Sequence, residues 1–294
     1  MGSVKGILLA GGTGSRLFPV SQAVSKQLLP VGDKPLVYYS MSVLMLAGIR
    51  EIILICNESD LSSYFKLFGN GSTFGLSIDY VIQSKPEGIA QAFLLAEHHI
   101  EGQSVSLVLG DNLFYGHGFT QMLKQAASER QGATIFGYQV VDPERFGVVE
   151  FDEAGKAISI EEKPAKPKSR YAVTGLYFYD NKVVEYAKDL VPSSRGELEI
   201  TDLNNRYLME GQLRVQNFGR GFAWLDTGTH EAIADAGVFI NAIEARQGIK
   251  VACLEEISYR NGWIDLNMVK RRASQLSKSA YGLYLSRLVA EVSG

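Results

Sequence analysis

An apolar run, Val4-Lys5-Gly6-Ile7-Leu8-Leu9-Ala10, passes without interruption into Gly11-Gly12-Thr13-Gly14-Ser15-Arg16-Leu17. Lys26 follows at the head of a second ordered run, Lys26-Gln27-Leu28-Leu29-Pro30-Val31-Gly32-Asp33-Lys34-Pro35. No other feature constrains the fold as much as this junction. The first run has the length and apolarity of a strand. Glycines carry no Cβ, so the backbone N–H groups that follow can close around phosphate oxygens. Arg16 and Lys26 supply cations that neutralise a polyphosphate. The chemistry predicted is triphosphate binding. Two commoner glycine loops do not match. A dinucleotide fingerprint needs a third glycine where Leu17 stands. The next expected strand also ends in Cys56-Asn57 rather than in a ribose-binding acid. The P-loop pattern G-x-x-x-x-G-K-[ST] occurs nowhere in the chain.

The 294 residues can bury a large core in one big domain, or in one domain with an extension. The net charge of −3, from 29 basic and 32 acidic residues, leaves no basic excess with which to grip nucleic acid. Cys56 and Cys253 provide no disulfide framework; they fit a reducing, cytoplasmic compartment and read as small buried hydrophobes. The most apolar helical stretch, Val37 to Ile49, is too short to cross a bilayer and contains Ser40 and Ser42, so no membrane association is expected. No signal peptide is visible. Met1-Gly2-Ser3 reads as a cloning remnant. It is not a myristoylation signal, because Gly6 sits where Ser or Thr is required.

Periodicity predicts alternating strands and helices. Strands are expected at residues 5–10, 51–56, 78–83, 105–109 and 133–140, and helices at 36–47, 61–68, 89–99 and 119–130. Such βα repetition implies a mostly parallel sheet covered on both faces, with functional groups beyond the carboxyl ends of its strands. From Gly147 short strands follow without long helices, at 148–152, 158–163 and 172–179, and suggest an antiparallel lobe laid against the parallel core. Helices are expected at 183–190 and 202–210, and strands at 212–218 and 223–225. After Thr229 the pattern is helical almost to the end, with 251–260 mixed. Residues 1–228 are therefore read as a core with its lobe, and 229–294 as a mainly helical C-terminal region. There is no internal repeat, low-complexity tract or flexible linker.

Further motifs extend the first: Leu109-Gly110-Asp111-Asn112, Asp142-Pro143-Glu144-Arg145-Phe146-Gly147, Glu161-Glu162-Lys163-Pro164, Gly196-Glu197-Leu198-Glu199-Ile200-Thr201-Asp202 and Ala223-Trp224-Leu225-Asp226-Thr227-Gly228-Thr229. In this order, from residue 4 to residue 290, the chain resembles the sugar-1-phosphate nucleotidyltransferases and, among them, the glucose-1-phosphate thymidylyltransferase branch. The resemblance implies a Rossmann-like, mostly parallel mixed sheet flanked by helices, with a small antiparallel sugar-binding lobe and a helical C-terminal region. It implies attack of a sugar-1-phosphate oxygen on the α-phosphorus of dTTP, giving dTDP-glucose and pyrophosphate. The nucleophile is already an anion, so no general base is required; this suits a chain with only four histidines.

Roles carry over by position in the motifs. Gly11, Gly14, Ser15 and Arg16 resemble the loop over the triphosphate, Arg16 meeting the leaving pyrophosphate and Lys26 the α-phosphate, with Gln27 beside them. Gln83, Pro86 and Gly88 resemble the base pocket. Asp111 and Asp226 resemble the carboxylates that hold Mg²⁺. Glu162 would accept from sugar hydroxyls, Lys163 would hold the sugar phosphate, and Asn112, Gly147 and Val173 would line the same side. Ser15 and Ser21 stand where relatives carry Thr, and Phe146 where close relatives carry Tyr, so one hydroxyl is lost near the sugar. The resemblance further implies a homotetramer inhibited by dTDP-rhamnose at a regulatory site. The matching residues are Tyr115, Gly116, Gly219, Arg220, Glu256 and Arg260, with Thr120 where relatives can carry His. Use of UTP or CTP on the same fold stays open, since one residue, Gln83, does not decide pyrimidine choice. A non-catalytic relative is disfavoured, because Arg16, Lys26, Asp111, Lys163 and Asp226 are all present.

Overall fold

The structure is a computed structural model that describes residues 4–293; Met1-Gly2-Ser3 lie outside the described residues. Strand β1 (Lys5–Leu9) is followed by the glycine loop, by a short hairpin of β2 (Pro30–Val31) and β3 (Lys34–Pro35), and by helix α1 (Val37–Leu46). Next come β4 (Glu51–Cys56), α2 (Leu61–Phe68), β5 (Ser77–Ile82), α3 (Gln91–Leu95), α4 (Glu97–Ile100), β6 (Val105–Leu109), β7 (Asn112–Tyr115), α5 (Phe119–Ser128) and β8 (Ala133–Gln139). The second half runs β9 (Gly147–Phe151), β10 (Ala157–Glu162), β11 (Tyr171–Tyr179), α6 (Val183–Lys188), α7 (Ile200–Met209), β12 (Leu213–Asn217) and β13 (Ala223–Asp226). Four helices close the chain: α8 (His230–Gln247), α9 (Leu254–Arg260), α10 (Leu266–Gln275) and α11 (Ala280–Ser293).

The centre of the sheet is parallel, in the order β6-β1-β4-β5. Strands buried on both faces need continuous apolar runs, as in β4, where Ile52 through Cys56 are all buried. Ile7 and Leu8 point to opposite faces and enter different core clusters, as the two-residue strand period requires. One cluster joins Leu8 to α1, α2, α5, α9, α10 and α11; the other joins Ile7 to α3, α6 and α7. Helix α1 is buried on nearly every side, which explains its lack of a polar face. Tyr281 of α11 packs edge-on against Tyr38 of α1, so α9, α10 and α11 share the first cluster, whereas Ala236 and Ile240 of α8 pack in a third cluster with Val31, Leu36 and Tyr39.

The antiparallel strands lie against the parallel core as expected, and differ only in being hydrogen-bonded into its sheet. β11 is long enough to serve two neighbours along one edge. Its Leu176–Tyr179 segment pairs with β6, while Tyr171 and Ala172 pair with β9. β9 and β10 therefore fork from the main sheet. On its other edge β11 pairs with β8, which in turn pairs in parallel with β12. Three further differences appear. The helix expected over 89–99 is two short helices meeting at Ala96, which sits at φ −91°, ψ 0°. The mixed stretch at 251–260 is a turn followed by α9. β7, too short to show a period, is a strand because it pairs antiparallel with β13. Among the described residues no helix is long and apolar enough to cross a membrane.

Candidate functional site

The parallel strands deliver their carboxyl ends to one rim. β1 leads to Gly11–Gly14, β4 to Asn57, β5 to Gln83 and β6 to Gly110-Asp111. The glycine loop is held by side chains. The Asn57 amide brackets Gly12, donating to its carbonyl at 2.9 Å and accepting from its N–H at 3.3 Å. Gln27 donates to the Gly11 carbonyl at 3.3 Å, and Ser21 to that of Gly14 at 2.7 Å. Gly12 and Gly14 occupy positive φ, at 100° and 57°. Gly11 is required for a different reason: a Cβ there would stand 2.0 Å from Gln83 Oε1.

Two cavities meet at this rim. The smaller, of 270 Å³, is lined by residues 11–17 with Lys26, Gln27, Asp111, Asp226 and Gly228. The larger, of 650 Å³, opens beside it over β9–β11 and is lined by Asn112, Phe146, Gly147, Glu162, Lys163, Val173, Thr201 and Trp224, among others. Arg16, Asp111 and Asp226 line both. The structure thus brings together the residues expected at the triphosphate and at the sugar. Gln83, Pro86 and Gly88 line neither cavity. Gln83 is buried against Gly11, and its Nε2 donates to Gln91 at 2.8 Å. Pro86 is exposed, and Gly88, at φ 104°, packs on the Leu198 backbone, where a Cβ would clash at 2.4 Å.

Asp226 reaches Asp111 because β13 pairs with β7 in the register Asp226 to Asn112. Lys26 Nζ lies 2.5 Å from Asp111 Oδ2, and Arg145 Nη2 lies 3.6 Å from Asp226 Oδ2. Burial pushes the Asp226 carboxyl up, and the Asp111 charge adds to this; Lys26, Arg145 and Arg16 oppose both. Two hard carboxylates that repel each other among cations form a donor set for a divalent ion. Among the described residues no third Asp, Glu, His or Cys completes a metal cluster. The pair therefore fits a metal such as Mg²⁺, which takes its remaining ligands from phosphate oxygens and water.

Asn112, expected at the sugar, spends its amide on the frame. Its Oδ1 accepts from Trp224 Nε1 at 2.6 Å and from the Gly175 N–H at 3.1 Å, while its Nδ2 donates to Asp111 at 2.9 Å. Glu162 accepts from Thr201 at 2.6 Å and from Arg195 at 3.3 Å, and Lys163 Nζ stands 3.6 Å from it. Lys163 has a left-handed backbone, φ 44°, and its N–H donates to the Phe146 carbonyl at 3.0 Å. Phe146 packs on Trp224 with ring centroids 5.1 Å apart. A Cβ on Gly147 would come within 3.0 Å of Thr201 Oγ1.

Two arginines received no role from the sequence. Arg195 grips both oxygens of Glu199 at 2.8 Å and also meets Glu197 and Glu162, each at 3.3 Å. Arg145 lies over the Phe146 ring. Both line the larger cavity. Each sits in or beside a motif already singled out, which was the available signal.

The six residues expected at a regulatory site divide. A cavity of 210 Å³ between α1, β7 and the 249–257 segment is lined by Tyr115, Gly116, Thr120 and Glu256, with Lys250 and Cys253. Gly219, Arg220 and Arg260 do not line it. Arg260 instead donates to Glu256 at 2.7 Å, and Arg220 is exposed. Cys56 and Cys253 are free and buried, and burial pushes the Cys56 thiol up to about 11.

Comparison with known proteins gives the family. The nucleotidyl transferase family model covers residues 5–242. A glucose-1-phosphate thymidylyltransferase of Neisseria meningitidis serogroup A / serotype 4A is 58% identical over 97% of this chain and 99% of its own length. Another, of Mycolicibacterium smegmatis, is 52% identical over 97% and 99%. A Bacillus anthracis structure provisionally described as a glucose-1-phosphate thymidylyltransferase, in complex with sucrose, superposes with a TM-score of 0.75 at 42% identity, over 81% of this chain and 95% of that one. The chain belongs to the nucleotidyl transferase family. Within that family its place is with the glucose-1-phosphate thymidylyltransferases, and it is an enzyme of that class.

Proposed function

We propose that the chain transfers a thymidylyl group from dTTP to glucose 1-phosphate, giving dTDP-glucose and pyrophosphate. The observation that carries this reading is the meeting of the two cavities at Arg16, Asp111 and Asp226. The glycine loop bares backbone amides for a triphosphate, and the larger cavity offers carboxylate, hydroxyl and ammonium groups for a phosphorylated sugar. A phosphate oxygen of the sugar attacks the α-phosphorus, the bond to the β-phosphate breaks, and pyrophosphate leaves. Both reacting groups are anions, so holding them together demands cations and alignment more than proton transfer. Arg16 meets the departing pyrophosphate, Lys26 the α-phosphate and Lys163 the sugar phosphate. Asp111 and Asp226 would hold Mg²⁺, which when bound neutralises charge between the two phosphates. A coupled pyrophosphate-release assay with glucose 1-phosphate and each of dTTP, UTP, CTP and ATP tests the reading. Release with dTTP far above the others is expected; equal release with UTP would reassign the base.

Gln83, at the glycine loop, both donates and accepts, which suits the imide edge of a pyrimidine. Gln83→Ala is expected to narrow the preference for dTTP over UTP and CTP in that assay, with little change in glucose 1-phosphate KM. An unchanged preference would remove Gln83 from base selection.

The product would enter dTDP-rhamnose and other dTDP-deoxysugar synthesis in the cytoplasm. Residues 229–294 we assign to assembly of a homotetramer and to regulation. The cavity lined by Tyr115, Gly116 and Glu256 would take dTDP-rhamnose as inhibitor; Arg260, bonded to Glu256, and the motif residues Gly219 and Arg220 would contribute from outside its lining. Such control is a coupling between two distinct sites. Arg220→Ala combined with Arg260→Ala is therefore expected to relieve inhibition by dTDP-rhamnose while uninhibited turnover stays near normal. Purely competitive inhibition that persists in the double variant would place the inhibitor at the active site alone.

A further inference from the structure

Beside the β2–β3 hairpin, outside both cavities of the active site, four charges close into a ring. Lys34 is buried, its side chain 2% exposed, with Nζ 2.7 Å from Asp33 Oδ1 and 3.0 Å from Glu244 Oε1. Lys250 Nζ reaches the other oxygen of each carboxylate, at 2.6 Å for Asp33 and 2.5 Å for Glu244. Glu244 Oε1 also accepts from the Val251 N–H at 2.9 Å. Lys34 and Glu244 are buried, while Asp33 and Lys250 stay partly open to solvent; burying a charge pair is costly, and apolar side chains of similar size would hold two elements together at least as stably. What charge-assisted hydrogen bonds add is direction: they fix one register where apolar contact tolerates sliding.

The register concerned includes Lys26. The single 3₁₀ turn Lys26–Leu28 runs into the β2–β3 hairpin, closed by the Leu36 N–H donating to the Leu29 carbonyl at 3.0 Å and by the Tyr39 hydroxyl donating to Val31 at 2.9 Å. Asp33 and Lys34 belong to that hairpin. Glu244 belongs to α8, whose N-cap is Thr229, just beyond Asp226. The ring thus ties the segment that carries Lys26 to the helix that starts behind Asp226.

We propose that Lys34 and Glu244 are positioning residues for Lys26, holding its ammonium at Asp111 and the α-phosphate without touching substrate themselves. The ring's electrostatics agree with a tight structure. Burial would raise the Asp33 carboxyl, but hydrogen bonds from Lys250 and Lys34 outweigh it and hold the group below the usual range. The inference rests on the reading that Lys26 acts at the phosphate.

Glu244→Gln keeps the shape and removes the charge. Because a misplacement of about 1 Å can cost about 10²-fold, turnover is expected to fall about tenfold or more. KM for glucose 1-phosphate should stay within about twofold, and amide exchange should rise across residues 26–36. Glu244→Asp keeps the charge and shortens its reach by one methylene; it is expected to give a smaller loss of the same kind and stands in if the Gln variant does not fold. Wild-type turnover in a folded Glu244→Gln, or in Glu244→Asp when only that variant folds, overturns the proposal. So does a loss confined to glucose 1-phosphate KM. Lys26→Met, measured in parallel, separates the two readings. Full turnover there removes the role of Lys26 and the positioning role with it. Loss there beside unchanged turnover in Glu244→Gln overturns the positioning role alone.

Discussion

Asp226→Asn lowers turnover at saturating Mg²⁺ by about 10²-fold or more, the scale set by deleting one preorganised stabilising group from an active site, and leaves the protein folded. Asn preserves the shape of the side chain and the Asp226-to-Asn112 pairing that sets its place. What it removes is one of the two negative charges proposed to hold the metal at the reacting phosphates. Because burial and the Asp111 charge raise the Asp226 carboxyl, its ionised form is held at a cost in the folded chain. A neutral side chain relieves that cost, so the melting temperature is expected to stay the same or rise slightly. Asp111→Asn should show the same kinetic loss. It also frees Lys26, whose 2.5 Å partner becomes neutral, so some stability is lost with it. Pyrophosphate release and thermal melting on the same preparations check both outcomes. Near-normal turnover in Asp226→Asn at saturating Mg²⁺ would show that this carboxylate holds no metal needed for reaction.

Lys163→Ala is expected to damage the use of glucose 1-phosphate by roughly 10- to 100-fold in kcat/KM, the range for losing a hydrogen bond to a charged group. Binding of dTTP should remain within about twofold, since Lys163 lines only the larger cavity. The left-handed backbone at φ 44° makes Ala the right comparison, because it leaves the same backbone demand in place and removes only the side chain. Arg195→Ala is a less clean change. It releases Glu199, Glu197 and Glu162 together and so disturbs the wall of the cavity as well as its charge. Calorimetry with each substrate separately distinguishes the outcomes. Equal loss of both ligands in Lys163→Ala would contradict a division of the site into a nucleotide side and a sugar side.

Much of the parallel core was readable because its signals are local. Val105–Leu109 is apolar but for Ser106 and Glu51–Cys56 is apolar after Glu51, Leu61–Phe68 has one apolar face, and all three form the expected elements with the expected bounds. The glycine loop could be read as phosphate-binding because its demands, bare amides and nearby cations, lie within one segment. The failures have local causes too. β7 has four residues and no measurable period, and it is a strand only through β13. The branching of β9 and β10 depends on β11 offering one edge to two partners, and no property of either short strand announces that. Arg195 lies on an exposed turn, where an arginine in a sequence looks like any solvated charge; Glu162 from β10, with Glu197 and Glu199 of its own segment, gives it a fixed place.

The amino-acid sequence by itself determined the class of the sheet, the chemistry of the loop after β1 and which aspartates, lysines and arginines were candidates, because composition and spacing within a strand or loop decide those. Only the tertiary structure decided that Asp226 faces Asp111, that Asn112 spends its amide on Trp224 and Gly175, and that Lys34 is buried against Glu244. These facts depend on strand register and helix docking between segments far apart in the chain. Burial and pairing, which set the charge state and reach of each group, arise only when those segments meet.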